Sequence, residues 1–290
     1  EGFGSMDMTI DGKNRQSAYH AYIEPIVNRP NLHIITNANV NKILMDKDGD
    51  KFTATGVRYK SKYSNYILES RNEIILSSGS INTPQLLLLS GIGPIDTQLN
   101  IPNLIDLPDV GQNLQDHLEI YIQMACKTDD TLYTYNQPIN KIRSGIEWFR
   151  GTHGVCSTNH FEIGGFIRSK EGVKHPDIQY HFLAGAVEKQ SSIKSKHAFQ
   201  VHCGTMRPKS RGFIKLNPSN PTGPPIIQPN YFSEYQDIVD FKNSIKLTLE
   251  ILNAEPLQKY LDYYLYPFND IDNMTDEYLE EIIRDNVESA

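Results

Sequence analysis

One stretch, Ser78 to Pro94 with the sequence SGSINTPQLLLLSGIGP, constrains the fold of this chain most strongly. Pro84 suits the first turn of a helix, where a missing backbone N–H costs nothing. The apolar run Glu73–Ser77 precedes this predicted helix and has the length of a buried strand. A strand, a glycine turn and a helix N-terminus in this order direct backbone N–H groups toward an anionic ligand. An ordinary strand-to-helix junction has the same pattern, so the motif alone assigns no ligand.

The rest of the chain alternates between strand-like and helical spacing, which predicts a fold of mixed α/β and α+β class. In the first half, we expect a helix over 13–28 that is interrupted or ends near Pro25, and strands over 31–36, 40–45, 53–59 and 66–69. In the second half, we expect helices over 138–150, 236–251 and 275–287, and strands over 161–168, 177–183, 198–206 and 211–216. The second half is therefore predicted to be an antiparallel sheet flanked by helices.

The composition excludes several classes of function. A net charge of −7 and a pI near 5.7 argue against nucleic acid as a partner. No apolar run approaches the ~20 residues that a membrane-spanning helix needs, although peripheral membrane association stays open. The cysteines Cys126, Cys156 and Cys203 are scattered, so they predict neither a disulfide framework nor a zinc site. We expect no metal site.

The sharpest local cluster of polar residues is Asn159–Phe166, with the sequence NHFEIGGF. If this segment is a strand, His160 and Glu162 share one face, and Phe161 and Ile163 point to the other. An imidazole and a carboxylate on the same face can polarise a hydroxyl group or hold a cation. A pair of solvated polar residues on a half-buried strand has the same spacing. The cluster is therefore a candidate substrate site and no more than that.

Two segments resemble signatures of the glucose–methanol–choline (GMC) oxidoreductases. Gly79–Pro84, followed by Ser90–Gly93, resembles the second signature of that family. Asp109–His117 is similar to a family loop that lies near the flavin and the entrance to the second domain, with Asp109 where the family has glycine. The first of these patterns is long and mixed in composition, which argues against a chance match.

This resemblance implies FAD as the cofactor and oxidation of an alcohol by hydride transfer to the flavin. Residues 1–119 would form part of a Rossmann-like FAD-binding domain with a β-meander. Residues 120–290 would form a truncated substrate-binding domain. The resemblance also implies flavin contacts from Val40, Gly79 and Ser80.

Two parts of such an enzyme are not found in the sequence. Its Gly-x-Gly-x-x-Gly phosphate loop is missing, because Gly91-x-Gly93 follows a predicted helix and lacks the third glycine. The resemblance implies that the catalytic histidine lies in a His-Pro segment beyond Ala290, so no catalytic residue is assigned within the chain. We therefore expect an internal piece of a longer protein, inactive when isolated.

Further blocks are similar to the choline-oxidising members of the family. They run in order through nearly the whole chain: Glu1–Thr9, Gln112–Gln123, His160–Ser169, His175–Phe182, Gln200–Arg207 and Ile227–Tyr231. In those relatives a glutamate lies against the trimethylammonium group of choline. Glu162 matches that glutamate, and His160 is its neighbour in the implied substrate site.

The similarity to choline-oxidising enzymes implies a reaction and a setting. Choline would be oxidised to betaine aldehyde, and the electrons would pass to a quinone or another respiratory acceptor. The implied location is mitochondrial, in association with the inner membrane. Two alternatives stay open: a GMC dehydrogenase for a sugar or another neutral alcohol, and a catalytically incomplete piece without bound FAD.

Overall fold

Strands occur along the whole chain. The structure is a computed structural model that describes residues 1–290 apart from 152–153, 189–191, 194–195, 269–270 and 273. In chain order the strands are β1 (Gly2–Ser5), β2 (Ile10–Asp11), β3 (Asn14–Arg15), β4 (Asn39–Asp48), β5 (Lys51–Ser61), β6 (Ser64–Glu69), β7 (Ile92–Gly93), β8 (Ile105–Asp106), β9 (Leu118–Cys126), β10 (Ile163–Ile167), β11 (Ile178–Leu183), β12 (Val187–Glu188), β13 (Ser192–Ile193), β14 (Ala198–Thr205), β15 (Phe213–Lys215), β16 (Ile226–Gln228), β17 (Leu261–Tyr266) and β18 (Glu288–Ser289).

Helices separate several of these strands. They are α1 (Gly79–Leu89), α2 (Leu132–Asn136), α3 (Pro138–Phe149), α4 (Tyr235–Leu252), α5 (Glu255–Gln258) and α6 (Asp276–Asn286). The final helix begins as its sequence predicts, because the Thr275 side chain accepts a hydrogen bond from the Tyr278 backbone N–H. None of the described helices combines the length and the apolar character that crossing a membrane requires.

The chain divides into two compact units that are discontinuous in sequence. The first contains Glu1–Arg29, Asp116–Lys209 and Glu234–Ala290. The second contains Pro30–Gln115 and Ser210–Ser233. The assignment of cofactor and substrate functions to residues 1–119 and 120–290 stays a prediction.

The first unit is built on an antiparallel sheet, the main sheet, in which the strands follow the order β1-β10-β11-β14-β9-β17, with β18 also paired to β9. The strand β9 pairs with β14, β17 and β18, and its alternate residues Ile120 and Ile122 are fully buried. The helix α4 packs on the same face, because Ile245 is fully buried and Thr248 donates a hydrogen bond to the buried Tyr180 hydroxyl at 3.2 Å. The prediction of an antiparallel sheet flanked by helices is confirmed.

The second unit contains the β-meander β4-β5-β6, as the sequence predicts. Its core joins α1 to β4 through the buried side chains of Ile43, Leu86 and Ile92. The turn after α1 requires glycine at position 91. Gly91 has φ +80, and a side chain there would collide with the Pro102 carbonyl oxygen.

Three expectations about local structure are wrong. The chain over 13–28 forms β3 and then a short π-helical turn, Tyr19–Ile23, and a 3₁₀ turn, Glu24–Ile26, without buried residues to support a longer helix. Residues 31–36 form no strand. Pro84 lies inside α1 and not in its first turn, because the helix begins earlier, at Gly79.

The predicted buried strand Glu73–Ser77 is also not a strand in the structure. It pairs with no other strand among the described residues. Ile74 and Leu76 pack against the core of the second unit, whereas Ile75 is 78% exposed. The apolar run therefore reflects burial of alternate residues on one side, which does not require a ladder of backbone hydrogen bonds.

Candidate functional site

One face of the main sheet carries a row of polar side chains. Successive side chains of a strand point to opposite faces, so Glu119 and Tyr121 on β9 lie on the face away from α4. The strand register pairs Tyr121 with His202 on β14, and His202 with His181 on β11. The sheet thus gathers on one face four polar side chains from three strands that are distant in sequence.

Glu119 lies between the two histidines. The Nδ1 atom of His202 is 2.9 Å from Glu119 Oε1, and the Nδ1 atom of His181 is 3.7 Å from Glu119 Oε2. The side chains of His202 and Glu119 are only 8% and 11% exposed, whereas that of His181 is 26% exposed. Of the two imidazoles, that of His181 is therefore the more accessible to a ligand.

The two histidines hold Glu119 in its ionised form. Burial alone would raise the pKa of this carboxyl group, because a charged group loses hydration. The hydrogen bonds from His181 and His202, together with the electrostatic interaction of Glu119 with both rings, outweigh burial and lower the pKa of Glu119 from 4.5 to about 2. The site consequently contains a buried carboxylate at every pH near neutrality.

Aromatic rings surround this carboxylate and its histidines. The Tyr121 ring lies against the His202 ring, with a centroid distance of 4.2 Å. The Phe161 ring meets both imidazoles edge to face, at 5.1 Å from His202 and 5.9 Å from His181. Burial, followed by the charge of Glu119, raises the pKa of the Tyr121 hydroxyl, so this ring is neutral. Aromatic faces beside a buried anion suit a cation that cannot donate hydrogen bonds.

A small cavity of about 20 Å³ opens beside Glu119, Gln179 and His181. This volume accommodates one water molecule, and its lining offers the polar partners that such a water needs. A hydroxyl group of similar size would find a carboxylate and an imidazole within reach. The cavity is therefore the part of the site best suited to an alcohol.

The same three side chains are of the types that ligate metal ions. Potential ligand atoms of Glu119, His181 and His202 all lie within 4.8 Å of one another. Two histidines and one carboxylate are a common ligand set for transition metals. In the structure, however, His202 Nδ1 is already hydrogen bonded to Glu119, and a metal ligand there would need a free lone pair.

The predicted substrate residues His160 and Glu162 lie just before a strand and not within it. The strand β10 begins at Ile163, and His160 has φ +67, which is incompatible with extended backbone. The expectation that this segment is a strand is therefore wrong for His160 to Glu162, and strand alternation does not determine which face their side chains occupy. Burial lowers the pKa of His160, against the opposing charge of Glu162, and the Glu162 side chain is exposed.

Phe161, which strand alternation directed away from His160 and Glu162, is the residue that contacts the histidine pair. The backbone here is anchored by a hydrogen bond of 3.0 Å from the Met6 N–H to the Glu162 carbonyl oxygen. The segment 160–162 therefore lies beside the buried cluster, as a substrate site requires. The individual roles of His160 and Glu162 stay predictions.

The predicted flavin-contacting residues lie in the second unit. Val40 on β4 is 37% exposed. Gly79 and Ser80 are exposed at the start of α1, and Gly79 has φ +84 with no atom within 4 Å of the position that a side chain would take. The helix start has no side-chain cap. Open glycine backbone at an uncapped helix N-terminus fits the close approach of a cofactor.

The second unit also contains a larger cavity of about 450 Å³. Its lining is mostly apolar and includes the turn from Gly91 to Pro94. Its polar lining residues include Asn103 and Gln112 and the titratable residues Asp96 and Lys215. None of these lining residues belongs to the cluster of two histidines and a buried carboxylate on the main sheet.

Glu119, His181 and His202 are absent from the predicted site. The strand β9 itself is not predicted, although Leu118, Ile120, Ile122 and Met124 alternate with polar residues in its sequence. That alternation is the signal from which Glu119 follows as a residue of the polar face. The pairing of Glu119 with His202, 83 residues away, depends on strand register and has no local signal.

Comparison with known proteins places this geometry in a family context. Two family models, both described as GMC oxidoreductase, match residues 1–119 and residues 208–290. Human mitochondrial choline dehydrogenase is 44% identical over 293 residues, which cover 100% of this chain and 48% of the human protein. The oxygen-dependent choline dehydrogenase of Brucella ovis is 40% identical over 293 residues, covering 100% of this chain and 52% of that protein.

The fold is also found in a solved structure. A formate oxidase from Aspergillus oryzae aligns with a TM-score of 0.89 at 20% identity, covering 100% of this chain and 55% of the oxidase. At this identity, the likeness concerns the fold alone. The chain spans about half the length of the curated relatives it matches.

Proposed function

This chain belongs to the GMC oxidoreductase family, and from that premise we propose that it is part of an FAD-dependent enzyme that oxidises choline to betaine aldehyde. The 40–44% identity to choline dehydrogenases of human and Brucella ovis supports choline as the substrate. The proposal assigns the substrate to the polar face of the main sheet.

One observation carries the proposal. The Phe161 ring lies against both imidazoles of the buried cluster, and Glu162 is the next residue along the chain. The aromatic ring lies against His181, which lines the water-sized polar cavity, and the neighbouring residue carries an exposed carboxylate. Choline carries a permanent cation and a hydroxyl group two carbons apart, and such a patch offers a partner for each.

Each end of choline would be held differently. The trimethylammonium group cannot donate hydrogen bonds, so charge and aromatic faces must bind it. A cation over an aromatic ring gains roughly 0.5–2 kcal/mol, most when water is excluded. In this proposal Glu162 and Phe161 hold the cation, His160 flanks them, and His181 contacts the hydroxyl group.

FAD, when bound, supplies the hydride acceptor. Val40, Gly79 and Ser80 would hold it, because the Gly79 backbone is open and the helix start is uncapped. We assign the catalytic base to a histidine beyond Ala290, following the family resemblance, and neither His160 nor His202 replaces it. Residues 1–290 alone are accordingly proposed to be inactive.

The electron acceptor and the location are proposed from the names of relatives. The human and mouse relatives are named as mitochondrial, which supports a mitochondrial location and a quinone or another respiratory acceptor. The Brucella relatives are named as oxygen-dependent, which supports oxygen as the alternative acceptor. Inner-membrane association stays part of the proposal.

Replacing Glu162 with glutamine tests the cation site. We expect Glu162→Gln to raise the KM for choline about tenfold or more, because a tenfold change corresponds to about 1.4 kcal/mol of lost attraction. The neutral carbon isostere of choline, in which a tert-butyl group replaces trimethylammonium, should keep its KM. Steady-state kinetics of the full-length protein with both alcohols measure this.

The matched control is Glu171→Gln, which removes an exposed carboxylate in the turn after β10. It should change neither KM. If Glu162→Gln leaves the choline KM unchanged, the assignment of Glu162 is wrong. If the isostere or a sugar is the better substrate of the unaltered enzyme, the alternative of a dehydrogenase for neutral alcohols is correct.

A further inference from the structure

The backbone of Val187 determines how two buried glutamines are oriented. Its carbonyl oxygen accepts a hydrogen bond from Gln123 Nε2 at 2.8 Å. Its N–H donates to Gln200 Oε1 at 3.0 Å. A backbone carbonyl and a backbone N–H cannot exchange roles, whereas a side-chain amide can be rotated by half a turn. Val187 therefore presents Gln123 with an acceptor and Gln200 with a donor, which selects one orientation of each amide.

A third contact agrees with this orientation. Gln123 Nε2 also donates to Gln200 Oε1 at 2.6 Å, and the side chains of both glutamines are almost completely buried. Rotating the Gln200 amide would direct its NH₂ group at the Val187 N–H and at the Gln123 NH₂ group. Three donors would then meet without an acceptor, and an unsatisfied buried donor is strongly destabilising. The Gln200 amide is thus locked.

The locked amide assigns the proton of His202. Gln200 Nε2 is 2.6 Å from His202 Nε2, and because the amide nitrogen donates, His202 Nε2 must accept. The ring proton of the neutral imidazole is then on Nδ1. That atom is 2.9 Å from Glu119 Oε1 and donates to it.

The tautomer of His181 is not fixed in this way. Its Nε2 atom is 2.8 Å from Gln179 Nε2. Within the part of the chain that the structure describes, no second hydrogen bond orients the Gln179 amide. Rotation of this amide exchanges a donor for an acceptor, so His181 is compatible with a proton on either nitrogen.

We propose that Gln200 and His202 are positioning residues: Gln200 fixes His202 as the Nδ1–H tautomer, and His202 holds Glu119 in place by saturating Oε1. Glu119 Oε2 is left facing His181, which becomes the histidine of the pair that can either donate to or accept from a bound hydroxyl group. The role of His181 rests on the proposed function. The tautomer of His202 does not.

The tautomer of His202 also decides whether the cluster can bind a metal ion or instead orients the Glu119 carboxylate. With its proton on Nδ1, His202 offers no lone pair to a metal ion at the atom that faces Glu119. The cluster of Glu119, His181 and His202 is therefore a hydrogen-bonded device that orients a carboxylate.

The test uses Gln200→Glu, which is isosteric and keeps an acceptor for the Val187 N–H and for Gln123. The atom that faces His202 Nε2 changes from a donor to an acceptor, which requires a proton on that nitrogen. Nitrogen-15 NMR of histidine-labelled full-length protein reads both ring nitrogens. We expect Nδ1–H alone in the unaltered protein and protons on both nitrogens of His202 in Gln200→Glu.

The matched control is Gln179→Glu, the same change beside His181, which should leave the His202 signals as they are. Kinetics supply a second readout: kcat/KM for choline should fall about 10–100-fold in Gln200→Glu, as misplaced catalytic groups do. A proton on Nε2 alone in the unaltered protein would overturn the proposal, even if Gln200→Glu fails to fold. Binding of Zn²⁺ with loss of the Nδ1 proton of His202 would also overturn the proposal. If the NMR spectrum is as expected but the protein does not oxidise choline, the proposed function is wrong and the assignment of the His202 tautomer still holds.

Discussion

Replacing Glu119 with glutamine is expected to lower kcat/KM for choline about 30–100-fold while the main sheet stays folded. The Glu119 carboxylate accepts from His202 on one oxygen and faces His181 with the other. A glutamine has the same shape but one acceptor, so one imidazole loses its partner. A hydrogen bond to a charged group contributes roughly 1.5–3 kcal/mol, which corresponds to a factor of about 10–150 in kcat/KM and includes the expected range.

Steady-state kinetics and thermal unfolding of the same preparations measure the two parts of this prediction. Glu171→Gln is again the control, because it removes a carboxylate that is exposed. Equal kinetics for Glu119→Gln and the unaltered enzyme would show that the buried cluster serves the fold and not the reaction. A large loss of stability without a change in kcat/KM would have the same meaning.

Acid is expected to weaken the fold through Glu119. The pKa of this carboxyl group is lowered from 4.5 in the unfolded chain to about 2 in the folded protein. Because the folded pKa is the lower one, the stabilisation is fully present above pH 4.5 and is lost as the pH falls from 4.5 through about 2. After allowance for residual solvent, we expect this contribution to be about 2 kcal/mol.

Urea unfolding of the unaltered protein and of Glu119→Gln, at about pH 6 and about pH 3.5, isolates this contribution. The difference in free energy of unfolding between the two proteins should shrink markedly at the lower pH, because the carboxyl group is then partly protonated in the unfolded chain. A difference that is the same at both pH values would contradict the lowered pKa. Other carboxyl groups titrate in both proteins and cancel.

The sequence predicts those parts of the fold that depend on local spacing. The β-meander and the helices α3, α4 and α6 follow from apolar periodicity and from a cap such as Thr275. Local spacing fails to predict the structure where an apolar pattern reflects packing against a core and not pairing between strands. Glu73–Ser77 is apolar because Ile74 and Leu76 are packed against a core, yet it pairs with no described strand.

The sequence singles out one segment of the candidate site and misses the buried cluster beside it. The cluster around Phe161 is polar and aromatic, so the sequence singles it out, and the structure brings its ring against His181 and His202. The buried carboxylate of Glu119 comes from a strand that lies 83 residues before His202. Only the register of β9 and β14 joins them, and register between distant strands is not encoded in local periodicity.

The visible absorption spectrum of the flavin tests the central claim most directly. The full-length protein should be yellow, and choline added without oxygen should bleach the oxidised flavin band, because hydride transfer reduces the cofactor. Residues 1–290 alone, as the control, should carry little or no flavin. A flavin that stays oxidised with choline but is bleached by a neutral alcohol would contradict the account, and so would a stoichiometric yellow protein formed by residues 1–290 alone.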